Sequence, residues 1–179
     1  LDATAAAGNL LADYIRDETE GAFARGVQIH RHIDSFTDFH PEVVAARNLF
    51  AGGNRRFAGI LVDLAFDLCL TRRWSDYEST TPLTSFIDSS LERIGNRQAE
   101  IPEPARGAFM KLRADRWLYG YGDINGLGTT IQRIARRRTI ARAIIGAESE
   151  IESLLPALTL RFEKFYPDLL AAIPRFNEN

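Results

Sequence analysis

The segment HRHIDSFTDFH, residues 30–40, contains all three histidines of the chain and defines its most informative helix. If the segment is helical, His30, Asp34 and Asp38 follow the spacing i, i+4, i+8 and lie on one face. The opposite side is apolar, with Val27, Ile29, Ile33 and Phe36 available for a core. The pattern predicts an amphipathic helix that presents an imidazole and two carboxylates together.

A second acidic pair lies in the apolar run ILVDLAFDLCL, residues 60–70. Asp63 and Asp67 repeat the i, i+4 spacing, and their neighbours are apolar on nearly every side. A helix that is hydrophobic all round is buried, so we expect both carboxylates to be buried and to need a cation.

A metal ion is the economical cation for these acids, because imidazole and carboxylate together suit a divalent metal. Asp13 ends the segment GNLLAD, residues 8–13. If the three helices meet, Asp13 would add a carboxylate from a third helix to the acids of the other two. Bundles build carboxylate-rich metal sites in this way. Two other interpretations stay open: in one, His30, Asp34 and Asp38 form an ordinary solvated helix face, and in the other, Asp63 and Asp67 pair with Arg31, Arg55 or Arg56.

The apolar spacing is helical almost throughout, which predicts an all-α, single-domain multi-helix bundle over residues 1–179, with about seven to nine helices. Because the residue before a proline disfavours the α region, His40-Pro41 separates two of them. We expect helices over 5–16, 22–39, 41–50, 55–74, 83–95, 105–119, 129–147 and 149–165, with a short last helix after Tyr166-Pro167.

Composition excludes several classes of function. The net charge is only −2, so no overall field favours nucleic acid or a membrane surface. No apolar run approaches the roughly 20 residues that span a bilayer. A single cysteine, Cys69, fits a reducing compartment, and we expect a cytoplasmic protein.

The basic residues are almost all arginine, and five of them lie in residues 133–142: Arg133, Arg136, Arg137, Arg138 and Arg142. We call these five the arginine stripe. It is either a solvated helix face, a docking surface for an acidic partner or a phosphate clamp. Residues 120–128 are glycine-rich but lack the Lys-Ser/Thr ending of a phosphate-binding loop, so we assign them no phosphate.

The chain resembles the acyl carrier protein phosphodiesterases in several motifs that occur in the family's order. They are GNLLAD at 8–13, HRHIDSFTDFHP at 30–41, Asp63 through Asp67 and on to Trp74, Trp117-Leu118 with Tyr121, Arg137-Arg138, and Phe162 through Tyr166-Pro167. The resemblance covers nearly the whole chain, and the combined His-Arg-x-Ile-Asp-x-x-Thr-Asp motif is the specific part.

The resemblance implies an HD-domain-like fold, divergent from the HD metal-dependent phosphohydrolases. It implies a metal-dependent phosphoric diester hydrolase of lipid metabolism. The reaction would release 4′-phosphopantetheine from the serine of holo-acyl carrier protein, with Mn²⁺ or Mg²⁺ as cofactor and metal-activated water as nucleophile. The acidic carrier would be the partner of the arginine stripe.

Carried over by position, the resemblance also implies individual roles. The catalytic residues would be Asp13, Asp34 and Asp67. The metal ligands would be His30, Asp34, Asp38, Asp63 and Asp67. The residues that bind the substrate or its carrier would be Arg133, Arg137 and Arg138.

Two alternatives remain. The family usually has a histidine directly after the second acid of the Asp63/Asp67 pair, and this chain has Leu68. That departure favours a catalytically degenerate paralogue that binds acyl carrier protein or another acidic partner without hydrolysis. The other alternative is an unrelated helical enzyme whose Asp-x-x-x-Asp pairs hold magnesium against a diphosphate, although the clustered histidines argue against it.

Overall fold

The computed structural model describes residues 1–15, 19–137 and 139–176. In those ranges the regular structure is helical without a strand, which confirms the predicted all-α class. The helices are α1 (Ala3–Leu11), α2 (Gly21–Phe39), α3 (Pro41–Arg47), α4 (Ala58–Arg72), α5 (Trp74–Tyr77), α6 (Leu83–Gly95), α7 (Glu103–Ala114), α8 (Ile124–Arg137) and α9 (Glu148–Phe176). Short 3-10 helices lie between them at Ala12–Tyr14, Gly52–Phe57, Gln98–Glu100, Trp117–Gly122 and Thr139–Ile144.

Helices α1 and α2 cross with their backbones in contact, and two glycines make that crossing possible. A Cβ on Gly26 would lie 1.9 Å from the carbonyl oxygen of Ala5, and a Cβ on Gly8 would lie 2.0 Å from that of Phe23. No side chain fits at either place. The crossing therefore fixes the end of α1, with Asp13 just beyond it, relative to His30 on α2.

The buried apolar residues form two clusters. The α1 cluster combines α1, α2, α6 and α7 through residues such as Leu11, Phe23, Leu91 and Phe109. The α4 cluster combines α3, α4, α8 and α9 through residues such as Val43, Leu61, Ile131 and Phe162. Each fully buried Leu, Ile or Phe stabilises the fold by about 1.5–3 kcal/mol.

Two elements contact both clusters. In α2, Phe23 belongs to the α1 cluster and Phe36 packs against the α4 cluster. In the 3-10 helix Trp117–Gly122, Trp117 packs on the α1 cluster and Tyr121 on the α4 cluster. The candidate site residues lie along this junction.

The last helix corrects the expectation of a break at Tyr166-Pro167. Helix α9 continues through Pro156, Pro167 and Pro174, which would each disfavour an isolated helix. All three prolines are exposed, so the carbonyl groups that they leave without a partner can reach water. On the buried side, Phe162 and Phe165 pack into the α4 cluster. Tertiary packing therefore outweighs the local preference.

Other helix boundaries also differ from the expectation: α3, α4 and α7 end earlier than expected, at Arg47, Arg72 and Ala114, and the largest differences are in α1 and α8. Helix α1 begins at Ala3, where the Asp2 carboxylate accepts the Ala5 N–H at 2.8 Å, and it ends at Leu11 rather than at residue 16. Helix α8 starts inside the glycine-rich segment, at Ile124, and ends at Arg137 rather than at residue 147. The glycines serve packing there, since a Cβ on Gly126 would lie 1.8 Å from the carbonyl oxygen of Gly120.

Candidate active site

His30 is the basic group of the candidate site. Its Nε2 lies 3.2 Å from Oδ2 of Asp34, one turn further along α2. The hydrogen bond to Asp34 raises the pKa of His30, desolvation opposes it, and the charges of Asp34 and Asp13 and the Asn9 backbone favour the protonated form. Because Asn9 and Asp13 belong to the first segment of the chain, His30 joins the two helices that cross at Gly26.

Asp38 lies two turns beyond His30 and is paired with an arginine. Arg47, the last residue of α3, donates from Nη2 to the Asp38 carboxylate and from Nη1 to its carbonyl oxygen, the latter at 3.3 Å. The charge of Arg47 also lowers the pKa of Asp63. Arg47 is thus the cation shared by the acids of α2 and α4.

Asp63 and Asp67 are exposed, so the expectation that they are buried is wrong. Even so, desolvation by the surrounding protein raises the pKa of Asp63 to about 6 and that of Asp67 to about 7. The charges of Asp38, Asp34 and Asp13 raise the pKa of Asp63 further, and the charge of Asp63 raises that of Asp67. Water can reach both carboxylates although protein largely surrounds them, so Asp63 and Asp67 lie in a recess.

The cations that were candidate partners for this pair bind elsewhere. Arg55 donates to the Asn48 side chain at 2.8 Å and to its carbonyl oxygen. Arg56 lies over the Phe57 ring. Arg31 is exposed on α2. Arg47 is instead the arginine whose charge lowers the pKa of Asp63.

Leu68 is fully buried in the α4 cluster, although Asp67 beside it is exposed. Successive residues of a helix point about 100° apart, since each turn holds 3.6 residues. In this conformation of α4, position 68 therefore faces the core rather than the recess. The side chain at position 68 therefore affects the site through packing.

The other two histidines lie away from the recess. His40 caps α3 by accepting the Glu42 N–H on Nδ1, its Nε2 lies 3.3 Å from Asp168, and its ring packs on Phe36 and Phe165. His32 is exposed and packs near Phe176.

A cleft of about 220 Å³ adjoins these acids. It is lined by Asp13, Trp117, Tyr121, Thr130, Arg133 and Ile134. Desolvation raises the pKa of the Tyr121 hydroxyl, as does the charge of Asp67, whereas the charge of Arg133 lowers it. The wall of the cleft is therefore within electrostatic reach of Asp67 on one side and contains Asp13 on another.

The donor set fits a hard divalent cation chemically, since carboxylate oxygens and an imidazole nitrogen are its usual ligands. The raised pKa values of Asp63 and Asp67 show that the protein does not fully stabilise the charged forms of these two carboxylates. No three His, Cys, Asp or Glu side chains in the described residues lie close enough together to hold one ion. To share an ion, the side chains of His30, Asp34, Asp38, Asp63 and Asp67 would have to turn towards one another.

The described side chains of the arginine stripe lie on two surfaces. Arg133 lines the cleft, whereas Arg136 and Arg142 are exposed. The side chain of Arg137 and the whole of Arg138 lie outside the described residues. No helix in the described part of the chain combines the length and hydropathy needed to cross a bilayer.

Sequence reasoning missed Arg47 and gave Trp117 and Tyr121 no individual role. Arg47 approaches Asp38 across the turn at His40-Pro41, nine residues along the chain, and no helical period links them. Trp117 and Tyr121 lie in a 3-10 helix, where residues four apart do not share a face as they do in an α-helix. Their spacing therefore carried little signal.

The chain is similar to proteins of one family. A family model described as acyl carrier protein phosphodiesterase matches residues 2–169. A Pectobacterium atrosepticum protein named acyl carrier protein phosphodiesterase is 32% identical over 167 residues, covering 91% of this chain and 86% of that protein. Proteins of the same name from Escherichia coli K12 (32% identical over 172 residues, 94% and 89% covered) and Photorhabdus laumondii (31% over 167 residues, 91% and 84%) match comparably. No solved structure matches the chain.

Proposed function

Because the chain belongs to the acyl carrier protein phosphodiesterase family, we propose that it hydrolyses the phosphodiester of holo-acyl carrier protein. Water adds to phosphorus, the bond from phosphorus to the serine oxygen breaks, and a proton from the water ends on the serine oxygen, so the products are 4′-phosphopantetheine and the apo carrier. The observation that supports this most is the recess, where Asp63 and Asp67 have raised pKa values beside an arginine-lined cleft. Carboxylates with perturbed pKa values beside a cleft are typical of catalytic sites.

The side chains have separable roles in this proposal. With a pKa of about 7, Asp67 can accept the proton of the attacking water near neutral pH. Asp34 lies within hydrogen-bond distance of His30 Nε2 and orients the imidazole beside the acids of α1 and α4. Arg133 pairs with the phosphate oxygens, where charge accumulates as water attacks. Asp13 lines the cleft and orients the water or the ester.

We further propose that the enzyme requires Mn²⁺ or Mg²⁺. His30, Asp34, Asp38, Asp63 and Asp67 would hold the ion. A bound divalent ion lowers the pKa of water and polarises a phosphoryl oxygen. In support, the recess gathers acids whose pKa values are raised by desolvation and by one another. Family resemblance suggests the same cofactor.

The exposed part of the arginine stripe is the proposed docking surface for the carrier. Arg136 is exposed on α8, the helix that carries Arg133, and Arg142 is exposed in the 3-10 helix Thr139–Ile144. An acidic partner would be attracted to them mainly during encounter, since exposed charges act on association rates and are screened by salt. Replacing both with Glu is expected to raise KM for the carrier several-fold while kcat stays unchanged, and added salt should weaken the wild-type interaction.

A gel-shift assay of purified holo-acyl carrier protein tests the activity. Incubation with the protein and Mn²⁺ is expected to give the apo form, and a chelator should prevent it. Asp63→Ala is expected to abolish conversion while the protein still binds the carrier. The matched control is Asp76→Ala, whose carboxylate only pairs with Arg73 at 2.8 Å.

The degenerate-paralogue alternative predicts a different result. A folded protein that binds holo-acyl carrier protein but never converts it, with either metal, would contradict the proposed enzyme. Conversion that persists in Asp63→Ala would contradict the assignment of the recess and leave the activity in place.

A further inference from the structure

Among the arginines of the stripe whose side chains the structure describes, the cleft separates Arg133 from Arg136 and Arg142. Arg133 lines it, while Arg136, one turn away on α8, is exposed on the outer surface. Asp13 is the anionic residue in the described lining, and Arg133 is the cationic one. An anionic group that enters the cleft will therefore bind at Arg133.

Arg133 is held in place by an aromatic ring. Its Cζ lies 5.5 Å from the centroid of the Trp117 ring. The Trp117 Nε1 in turn donates to the Asp115 carboxylate at 3.2 Å, which orients the indole. A cation–π contact restrains the guanidinium through its face and does not itself use the N–H groups, which are the groups that pair with an acceptor such as phosphate.

The size of the cleft limits what it can contain. Pockets that enclose a drug-sized ligand measure roughly 300–1,000 Å³, and this one measures about 220 Å³. This volume matches part of the pantetheine arm with its phosphate rather than the whole. A phosphate with the short branched segment next to it is a better match, because Trp117 and Ile134 offer apolar walls for two methyl groups.

The position of the cleft indicates which end of the arm enters it. Its Tyr121 is within electrostatic reach of Asp67, and its Asp13 acts on both His30 and Asp63. The ester bond must reach those acids, so the phosphate end lies beside them.

Building on the proposed function, we infer that the cleft binds the phosphate-proximal half of the 4′-phosphopantetheine arm. Arg133 pairs with the phosphate, and Trp117 and Ile134 contact the dimethyl segment beside it. Arg133 and Trp117 therefore recognise the arm itself, whereas the exposed arginines act on the body of the carrier.

Tryptophan fluorescence tests this binding directly, because the chain has only two tryptophans. Trp74 packs on Phe86 and donates to the Thr81 carbonyl at 2.7 Å, outside the cleft lining. In a Trp74→Phe background, Trp117 is the sole reporter. The probes are free 4′-phosphopantetheine and pantetheine, which has the same arm without the phosphate.

Saturable change of Trp117 fluorescence by 4′-phosphopantetheine is expected, with pantetheine binding at least about tenfold more weakly. Arg133→Ala should remove the difference between the two probes, and Arg133→Lys should restore part of it. The matched control is Arg97→Ala, whose guanidinium pairs with Glu100 at 2.7 Å and does not line the cleft. It should bind both probes like the parent protein.

The outcomes separate this inference from the proposed function. If the protein converts holo-acyl carrier protein but neither probe affects Trp117, and Arg133→Ala keeps the parental KM, the assignment of the cleft is wrong and the activity stands. If 4′-phosphopantetheine binds through Arg133 but no carrier is converted, the proposed activity is wrong and the cleft remains a binding site. Absence of both binding and conversion overturns both.

Discussion

Gly26 of α2 lies so close to Ala5 of α1 that the carbonyl oxygen of Ala5 occupies the place of a Cβ. This contact fixes the distance between the segment that ends in Asp13 and the turn of α2 that carries His30. The pKa of His30 responds to the charge of Asp13, so the crossing has an electrostatic effect in the candidate active site.

Gly26→Ala is therefore expected to destabilise the protein by about 1–3 kcal/mol or more, because the helices must separate to admit the methyl group. For a chain of this size, thermal unfolding should shift down by about 2–4 °C per kcal/mol. Gly107→Ala is the matched control, since a Cβ there meets nothing within 4 Å on exposed α7. That variant should gain about 0.5–1 kcal/mol. Equal melting temperatures for the two variants would contradict the tight crossing.

Asp67→Asn is expected to stabilise the protein at high pH. The raised pKa of Asp67 means that the folded state keeps this proton up to about pH 7, while the unfolded chain releases it near 3.8. The contribution of Asp67 to the free energy of unfolding of the wild type therefore falls as pH rises from about 4 to 7. The variant should melt above the wild type at pH 8 in a chelating buffer, and its advantage should shrink towards pH 5. Asp76→Asn should show no such gain, and an advantage of Asp67→Asn that is independent of pH would exclude a raised pKa.

Mn²⁺ is expected to raise the melting temperature of the metal-free wild type. An ion present at 100 times its Kd stabilises a folded protein by about 2.7 kcal/mol, which corresponds to roughly 5–10 °C for this chain length. Asp63→Asn and Asp67→Asn should each lose most of this shift, whereas Asp76→Asn should keep it. A shift of the same size in all four proteins would place the ion elsewhere.

Arg47→Ala is expected to move the acidic limb of kcat/KM to higher pH. The charge of Arg47 lowers the pKa of Asp63, against the acids Asp38, Asp34 and Asp13 that raise it. Without that charge Asp63 stays protonated to higher pH, and the midpoint of the limb should move up by as much as about one pH unit. Arg47→Lys keeps the charge and should restore most of the profile. An unchanged limb in Arg47→Ala would show that Asp63 does not control it.

The sequence was a good guide where a single helix carried the whole pattern. The i, i+4 spacing of His30 and Asp34 on α2, and of Asp63 and Asp67 on α4, predicted pairs that the structure places on common faces. The exposure of Asp63 and Asp67 was not predictable in this way, because the apolar run predicts burial and only the neighbouring helices leave a recess open. The role of Arg47 depends on the turn before α3, and it also required the structure.

The clearest failure concerned α9, where proline signals predicted a stop and the chain stays helical. The physical reason is that a proline interrupts a helix only if nothing else keeps the chain in place, and Phe162 and Phe165 are held by the α4 cluster.

The exposed prolines of α9 also bear on the order of folding. A segment with three interior prolines nucleates poorly on its own, since helix initiation is already unfavourable and each ring removes a hydrogen bond. An isolated segment of residues 148–176 is therefore expected to be largely unfolded and to become helical when it docks on the rest of the chain. Because α9 packs on α4, the hydrophobic side of the helix that bears Asp63 and Asp67 is enclosed only once α9 has docked.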